Sequence, residues 1–286
     1  MRGFHTFDAM ATRASEELTA LARRVAGSLP TTRVDEVVLT GSVSRGMADD
    51  VSDIEMLIVT SEPLELEDCF ALARAAGLEG LGTWGAQEGP ARRVSGRREQ
   101  VPIELIWWPR DYAETRIDRL LAGEMSTTGD ALAHGVPLRT TGLLAAWQDR
   151  LRGYPPELAA AQIEQAALPW GGFAAAGVLT LIRPGDRLAL VEWMLDSAIR
   201  VLTIVYALNR VWPPTTKRLG ARVAPLPIKP DRLAERIEEA LTEPDARRAL
   251  RLMTQLQLDA VRLAPSGPNI DRARLWLAAA VEVLGG

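Results

Sequence analysis

The 286 residues carry 33 Lys and Arg against 37 Asp and Glu, a formal charge of -4, so the global basic field of many nucleic-acid binders is absent. An apolar fraction of 47% excludes a disordered chain, and the length suits two domains. One cysteine, Cys69, excludes an internal disulfide and a Cys-based zinc site, and two histidines, His5 and His134, argue against a His-ligated metal.

The opening Met1-Arg2-Gly3-Phe4-His5 lacks the apolar core of a signal peptide. The longest apolar run, around Val201 to Leu208, is far short of the roughly 20 residues of a membrane span, so a cytoplasmic chain without membrane contact is expected. From Phe7 to Ser28, Leu18, Leu21 and Val25 recur at helical spacing among charged residues and predict a half-buried helix. A strand follows at Glu36 to Thr40. It runs into Gly41-Ser42, where a residue without Cβ lets backbone approach a ligand closely. Residues 42 to 47 read as a short helix whose exposed N–H groups favour a phosphate, with a plain helix cap at Ser42 as the alternative.

The second strand, Asp53 to Thr60, opens with carboxylates at Asp53 and Glu55. Side chains two apart on a strand share a face, and clustered carboxylates suit Mg²⁺, which takes oxygen ligands; two exposed acids at a strand end are the alternative. Glu65 to Ala76 reads as an amphipathic helix and Leu81 to Trp84 as a short strand. Ser95-Gly96 predicts a hairpin turn ringed by Arg92, Arg93, Arg97 and Arg98, a solvated feature more than an RNA-binding patch. Val101 to Trp108 is an apolar strand interrupted by Glu104, a carboxylate costly to bury without a partner. Beside the Asp53 strand it becomes a third acidic ligand; elsewhere it pairs with a nearby arginine. Residues 110 to 134 read as helix broken at Gly123 and Gly129, Val136 to Leu138 as an edge segment, and 143 to 151 as helix.

Gly153-Tyr154-Pro155-Pro156 marks a linker, dividing the chain into 1-153 and 154-286. Beyond it, helical patterns cover about 157 to 168, 173 to 183, 187 to 211, 230 to 242, 244 to 264 and 268 to 284, broken at Gly171-Gly172 and at several Pro and Gly pairs. The expected class is α+β: a small mixed β-sheet flanked by helices, then an all-α bundle. Within the helix 188 to 208, Glu192, Asp196 and Arg200 form one narrow polar stripe at i, i+4 and i+8, which either faces a site or is an intrahelical ion-pair ladder.

Gly41-Ser42-x-x-Arg45 followed by Ser52-Asp53-Ile54-Glu55-Met56, with Ile103-Glu104-Leu105 further on, resembles the nucleotidyltransferase superfamily that includes DNA polymerase beta, and among its members the kanamycin nucleotidyltransferases most. The resemblance covers the catalytic-domain motifs and is much weaker in the helical half. It implies that Asp53, Glu55 and Glu104 hold two Mg²⁺ ions, and that Gly41, Ser42 and Arg45 take the β and γ phosphates of ATP or another NTP. It also implies a carboxylate base at Asp196, where the family has Glu, with Glu192 as second choice and a cation at Arg200. Lys217 is a further candidate for the triphosphate, with a solvated cation past the helix end as the alternative. The implied reaction moves a nucleoside monophosphate, AMP first, onto a hydroxyl of a small molecule such as an aminoglycoside. Relatives acting on tRNA or protein in toxin-antitoxin systems, and a non-catalytic nucleotide-binding module, are the competing expectations. The family also implies a homodimer.

Overall fold

The computed structural model describes residues 11–85, 89–168, 175–185 and 187–285. The expected helix start at Phe7 and the break at Gly171-Gly172 lie outside them. The chain divides into two compact units, Met1–Gly153 and Tyr154–Gly286. The architecture is α+β.

In the first unit, α1 (Arg13–Ser28) starts at Thr12, whose side chain accepts the backbone N–H of Ser15 and so satisfies one of the helix's orphan donors. Then come β1 (Val34–Thr40), the single turn α2 (Gly41–Ser44), β2 (Ile54–Thr60), α3 (Leu66–Ala75), β3 (Glu79–Thr83), β4 (Arg92–Arg98), β5 (Val101–Pro109), α4 (Arg110–Leu121), α5 (Thr128–Ala133), β6 (Val136–Arg139) and α6 (Leu143–Arg152). The strands form one mixed sheet in the order β3-β4-β5-β2-β1-β6. β2 and β5 pair in parallel, while the other neighbours are antiparallel.

One face of the sheet packs Val37, Leu39, Ile54, Met56, Ile58, Ile103, Leu105 and Trp107 against Leu21 and Val25 of α1 and Cys69 and Ala73 of α3. Among the described residues of this unit, the opposite face is covered only in part, where α4 contacts β2 and β5 and α6 contacts β1. β5 records the transition. Its first half alternates, with Ile103 and Leu105 buried and Pro102, Glu104 and Ile106 less so, whereas Trp107 and Trp108 are both buried. A strand buried on both faces reads as a continuous apolar run, and one with an open face alternates. The open part of the sheet is therefore the part that carries Glu104.

The expected hairpin turn is displaced. Ser95 and Gly96 lie inside β4, and the turn falls on Glu99 and Gln100, which adopt φ of 52° and 65°. Glycine is needed at position 96 for packing, because a Cβ there would stand 2.7 Å from Leu81 Cδ2 and 3.0 Å from the Glu79 carbonyl oxygen.

The second unit is helical: α7 (Pro156–Ala167), a 3-10 segment (Ala175–Ile182), α8 (Arg187–Leu208), α9 (Leu219–Val223), α10 (Leu233–Thr242), α11 (Ala246–Leu263) and α12 (Pro268–Gly285). Its core is built on the inner side of α8, with Trp193, Met194, Val201, Ile204 and Val205 packed among Leu250, Met253, Leu256, Val261 and Leu277. Among the described residues no helix is long and apolar enough to cross a membrane.

Candidate metal and phosphate site

Two registers assemble the site. In the β1–β2 ladder Thr40 lies opposite Glu55, so the chain leaves β1 at Gly41 directly beside a carboxylate. In the parallel β2–β5 ladder Glu55 lies opposite Glu104. Adjacent strands stand about 4.8 Å apart, and paired residues share a face, so this register by itself brings the two glutamates together. Asp53 precedes β2 and is delivered by the loop at 49–52. There the Asp49 N–H and the Ser52 Oγ are joined at 2.9 Å, and Ser52 donates back to Asp49 Oδ1 at 2.8 Å.

The outcome is a half-buried cluster in which Asp53, Glu55 and Glu104 each offer a carboxylate oxygen within 4.8 Å of the others. Such a set could hold a divalent ion, since three oxygen donors at this separation meet the donor preference of Mg²⁺ and leave coordination positions for waters or substrate phosphates.

The Gly41 turn lies against this cluster. Gly41 has φ of +72°, in the left-handed region where a side chain is costly. A Cβ on it would overlap Glu55 Oε2 and stand 3.0 Å from Glu55 Cδ. Both the conformation and the space require glycine. Thr40 occupies the N-cap position of α2, without a side-chain cap bond, so Ser42 sits within the turn rather than capping it. The Ser42 carbonyl accepts the N–H groups of Arg45 at 3.3 Å and Met47 at 3.0 Å.

Arg45, a candidate for lending charge to a phosphate, makes several contacts within the protein. Its guanidinium is buried, with Nη2 2.5 Å from Asp130 Oδ2 and 2.9 Å from the Asp130 carbonyl, and Nη1 2.8 Å from the Gly41 carbonyl. Arg45 therefore holds the Gly41 turn from behind and ties it to α5. Asp130 in turn receives His134, whose Nδ1 lies 3.2 Å from Asp130 Oδ1. A second brace comes from α1: Thr12 Oγ1 donates to the Ala48 carbonyl at 2.7 Å, and the Ala48 N–H reaches Ser15 Oγ at 2.9 Å. Asp130, Thr12 and Ser15 are supporting residues that the motif reading missed. Thr12 and Ser15 carried a detectable signal as a helix start, whereas Asp130 carried none.

The remaining candidates belong to the second unit. Asp196 and Arg200 form an i,i+4 ion pair, with Arg200 Nε 2.5 Å from Asp196 Oδ2. Arg200 Nη1 also donates to the carbonyls of Leu168 at 2.8 Å and Gln165 at 3.2 Å, closing the C-terminal end of α7. Of the two readings of the stripe, the intrahelical pair is thus present for Asp196 and Arg200, and the cation has a structural task of its own. Glu192 is exposed one turn earlier, and the same outer face carries exposed Leu188, Val191, Leu195 and Ile199. Lys217 is exposed in the turn before α9.

No family profile and no curated protein matches the chain. Among solved structures it is similar to a nucleotidyltransferase-like protein from Exiguobacterium sibiricum 255-15, at 12% identity and a TM-score of 0.35, with 94% of this chain and 89% of that chain covered. A likeness of that degree leaves the chemistry to the residues themselves.

Proposed function

We propose that this chain is a Mg²⁺-dependent nucleotidyltransferase that moves a nucleoside monophosphate, AMP from ATP in the leading case, onto a hydroxyl of a small molecule. The observation that carries the reading is the contact between the carboxylate cluster and a turn that only glycine can make. In the reaction the acceptor oxygen bonds to the α-phosphorus, the bond to the bridging oxygen breaks, pyrophosphate leaves with that electron pair, and the hydroxyl proton passes to a base. Two Mg²⁺ ions held by the carboxylate cluster would supply charge neutralisation to the transfer. Asp53, Glu55 and Glu104 fix where that positive charge sits. The backbone N–H groups of Gly41 and Ser42 orient the β and γ phosphates, and Arg45 with Asp130 keeps the turn from yielding. Asp196, held by Arg200 on α8, is the proposed base.

Incubation with α-phosphate-labelled NTPs, Mg²⁺ and pools of hydroxyl compounds tests this. Asp53→Ala should abolish both pyrophosphate release and label transfer, and unchanged activity refutes the metal assignment. Asp196→Asn should suppress turnover with ATP affinity retained; an unaffected rate returns the role to Glu192 or to solvent.

A further inference from the structure

The sheet register extends the site beyond the carboxylates. Gly82 of β3 lies opposite Ser95 of β4, Ser95 opposite Glu104 of β5, Glu104 opposite Glu55 of β2, and Glu55 opposite Thr40 of β1. These residues form one row across the open face, with the Gly41 turn at one end. Side chains alternate along a strand, so Arg93 and Arg97 share the face of Ser95 and flank this row on either side. Arg97 lies opposite Pro102 and is exposed, while Arg93 lies opposite Ile106. Arg92 and Arg98 fall on the reverse face, where Arg98 donates to the Ala76 carbonyl at 2.7 Å.

Arg93 is held in place. Its guanidinium carbon lies 5.5 Å from the centroid of the Trp84 ring, and a Cβ on Gly85 would stand 3.8 Å from its Cδ and Nη1. A cation stacked on an aromatic face keeps its charge while losing conformational freedom. Glu79 is the cross-strand neighbour of Arg97 and is exposed beside it.

Transfer at an α-phosphorus requires the attacking and leaving oxygens to be roughly in line. With pyrophosphate leaving on the Gly41–Ser42 side, the acceptor must approach from the opposite side of the carboxylates, over β5 and β4. We infer that the Arg93, Ser95 and Arg97 surface of β4 is the acceptor subsite, and that the acceptor carries an anionic group, a phosphate or a carboxylate, beside its reacting hydroxyl. This rests on the transferase reading. A polycationic acceptor of aminoglycoside type would meet two arginines there. Ser95 Oγ, 3.5 Å from the Gly82 carbonyl, adds a neutral polar contact in the same row as Glu104.

The test uses the full chain, Mg²⁺, α-phosphate-labelled ATP and acceptors matched in pairs: glucose against glucose 6-phosphate, glycerol against glycerol 3-phosphate, and glucose against gluconate for the carboxylate arm, with kanamycin as the cationic arm. Transfer is expected to the anionic members. Arg97→Gln should raise the acceptor KM at least tenfold while changing Mg²⁺–ATP affinity less than twofold, and Arg97→Lys should restore most of the loss. Arg93→Gln should act in the same direction. Transfer to kanamycin or the neutral members alone overturns the anionic acceptor, as does an acceptor KM indifferent to Arg97→Gln. Transfer to none of them while Asp53-dependent Mg²⁺–ATP binding persists overturns it as well. Absence of that binding overturns the transferase reading beneath it.

Discussion

Gly41→Ala separates a functional turn from an ordinary one. In an ordinary turn, the substitution places a Cβ at φ of +72° and costs about 1–2 kcal/mol of left-handed strain. For a unit of this size that lowers the melting temperature by roughly 2–8 °C and does nothing else. Here the new Cβ also stands 3.0 Å from Glu55 Cδ, inside ordinary contact, so the carboxylate has to retreat by about 1 Å. A displacement of that size in a positioned group costs on the order of 100-fold in rate. The expected result is a folded protein with label transfer reduced about 100-fold and with weaker Mg²⁺ stabilisation in thermal unfolding. A variant with the melting loss alone, and with Mg²⁺ stabilisation and turnover intact, would refute the idea that the turn and Glu55 act as one site.

Three further outcomes follow from the same geometry. Glu104→Gln removes one of the three clustered carboxylates, so Mg²⁺ should raise the melting temperature of the wild type more than that of the variant; equal responses to Mg²⁺ in thermal melts would count against a shared ion. Asp130→Asn takes one carboxylate from the buried Arg45 guanidinium and should cost about 1.5–3 kcal/mol in urea unfolding, with part of the loss recovered in the double variant with Arg45→Met. Burial pushes the Cys69 thiol from 9.0 up to about 12, so the folded chain keeps a proton that the unfolded chain loses above about pH 9. The corresponding stability is present below pH 9 and declines above it, and wild type should lose about 1 kcal/mol more than Cys69→Ala between pH 8 and pH 10 in urea melts.

The strands and helices were legible because their signals are local. Continuous apolar runs marked β1 and β2, Glu104 stood out as a charge in such a run, and the Gly41-Ser42 turn was plain from composition. What the chain could not display locally is register. A shift of β5 by two residues against β2 would keep Glu104 on the same face but set it opposite Leu57 or Asp53 instead of Glu55, and nothing in either strand's own sequence forbids it. Asp130, which pairs with Arg45, lies 85 residues away in a segment, Thr127-Thr128-Gly129-Asp130, without a distinguishing pattern, so this ion pair had no local signature. At Ser95-Gly96 glycine misled in the other direction. It is there to admit Leu81, and two residues with side chains make the turn instead.

The sign of charge changes across one face of the sheet, and this links the fold to the chemistry more closely than the net charge of -4 does. From β2 to β4 is two strand spacings, about 10 Å, comparable to the screening length of physiological salt, so the carboxylates and the arginines each act on what binds beside them. A uniformly acidic face would concentrate cations and repel a triphosphate, and a uniformly basic one would compete with the metal for that triphosphate. On the proposed reading, acids on the two central strands with arginines one strand further out would let a cation, a polyanionic donor and an anionic acceptor occupy adjacent positions. The parallel pairing of β2 with β5 makes this arrangement available, because it sets two carboxylates side by side and leaves β4, joined to β5 by a two-residue turn, to carry the opposite charge.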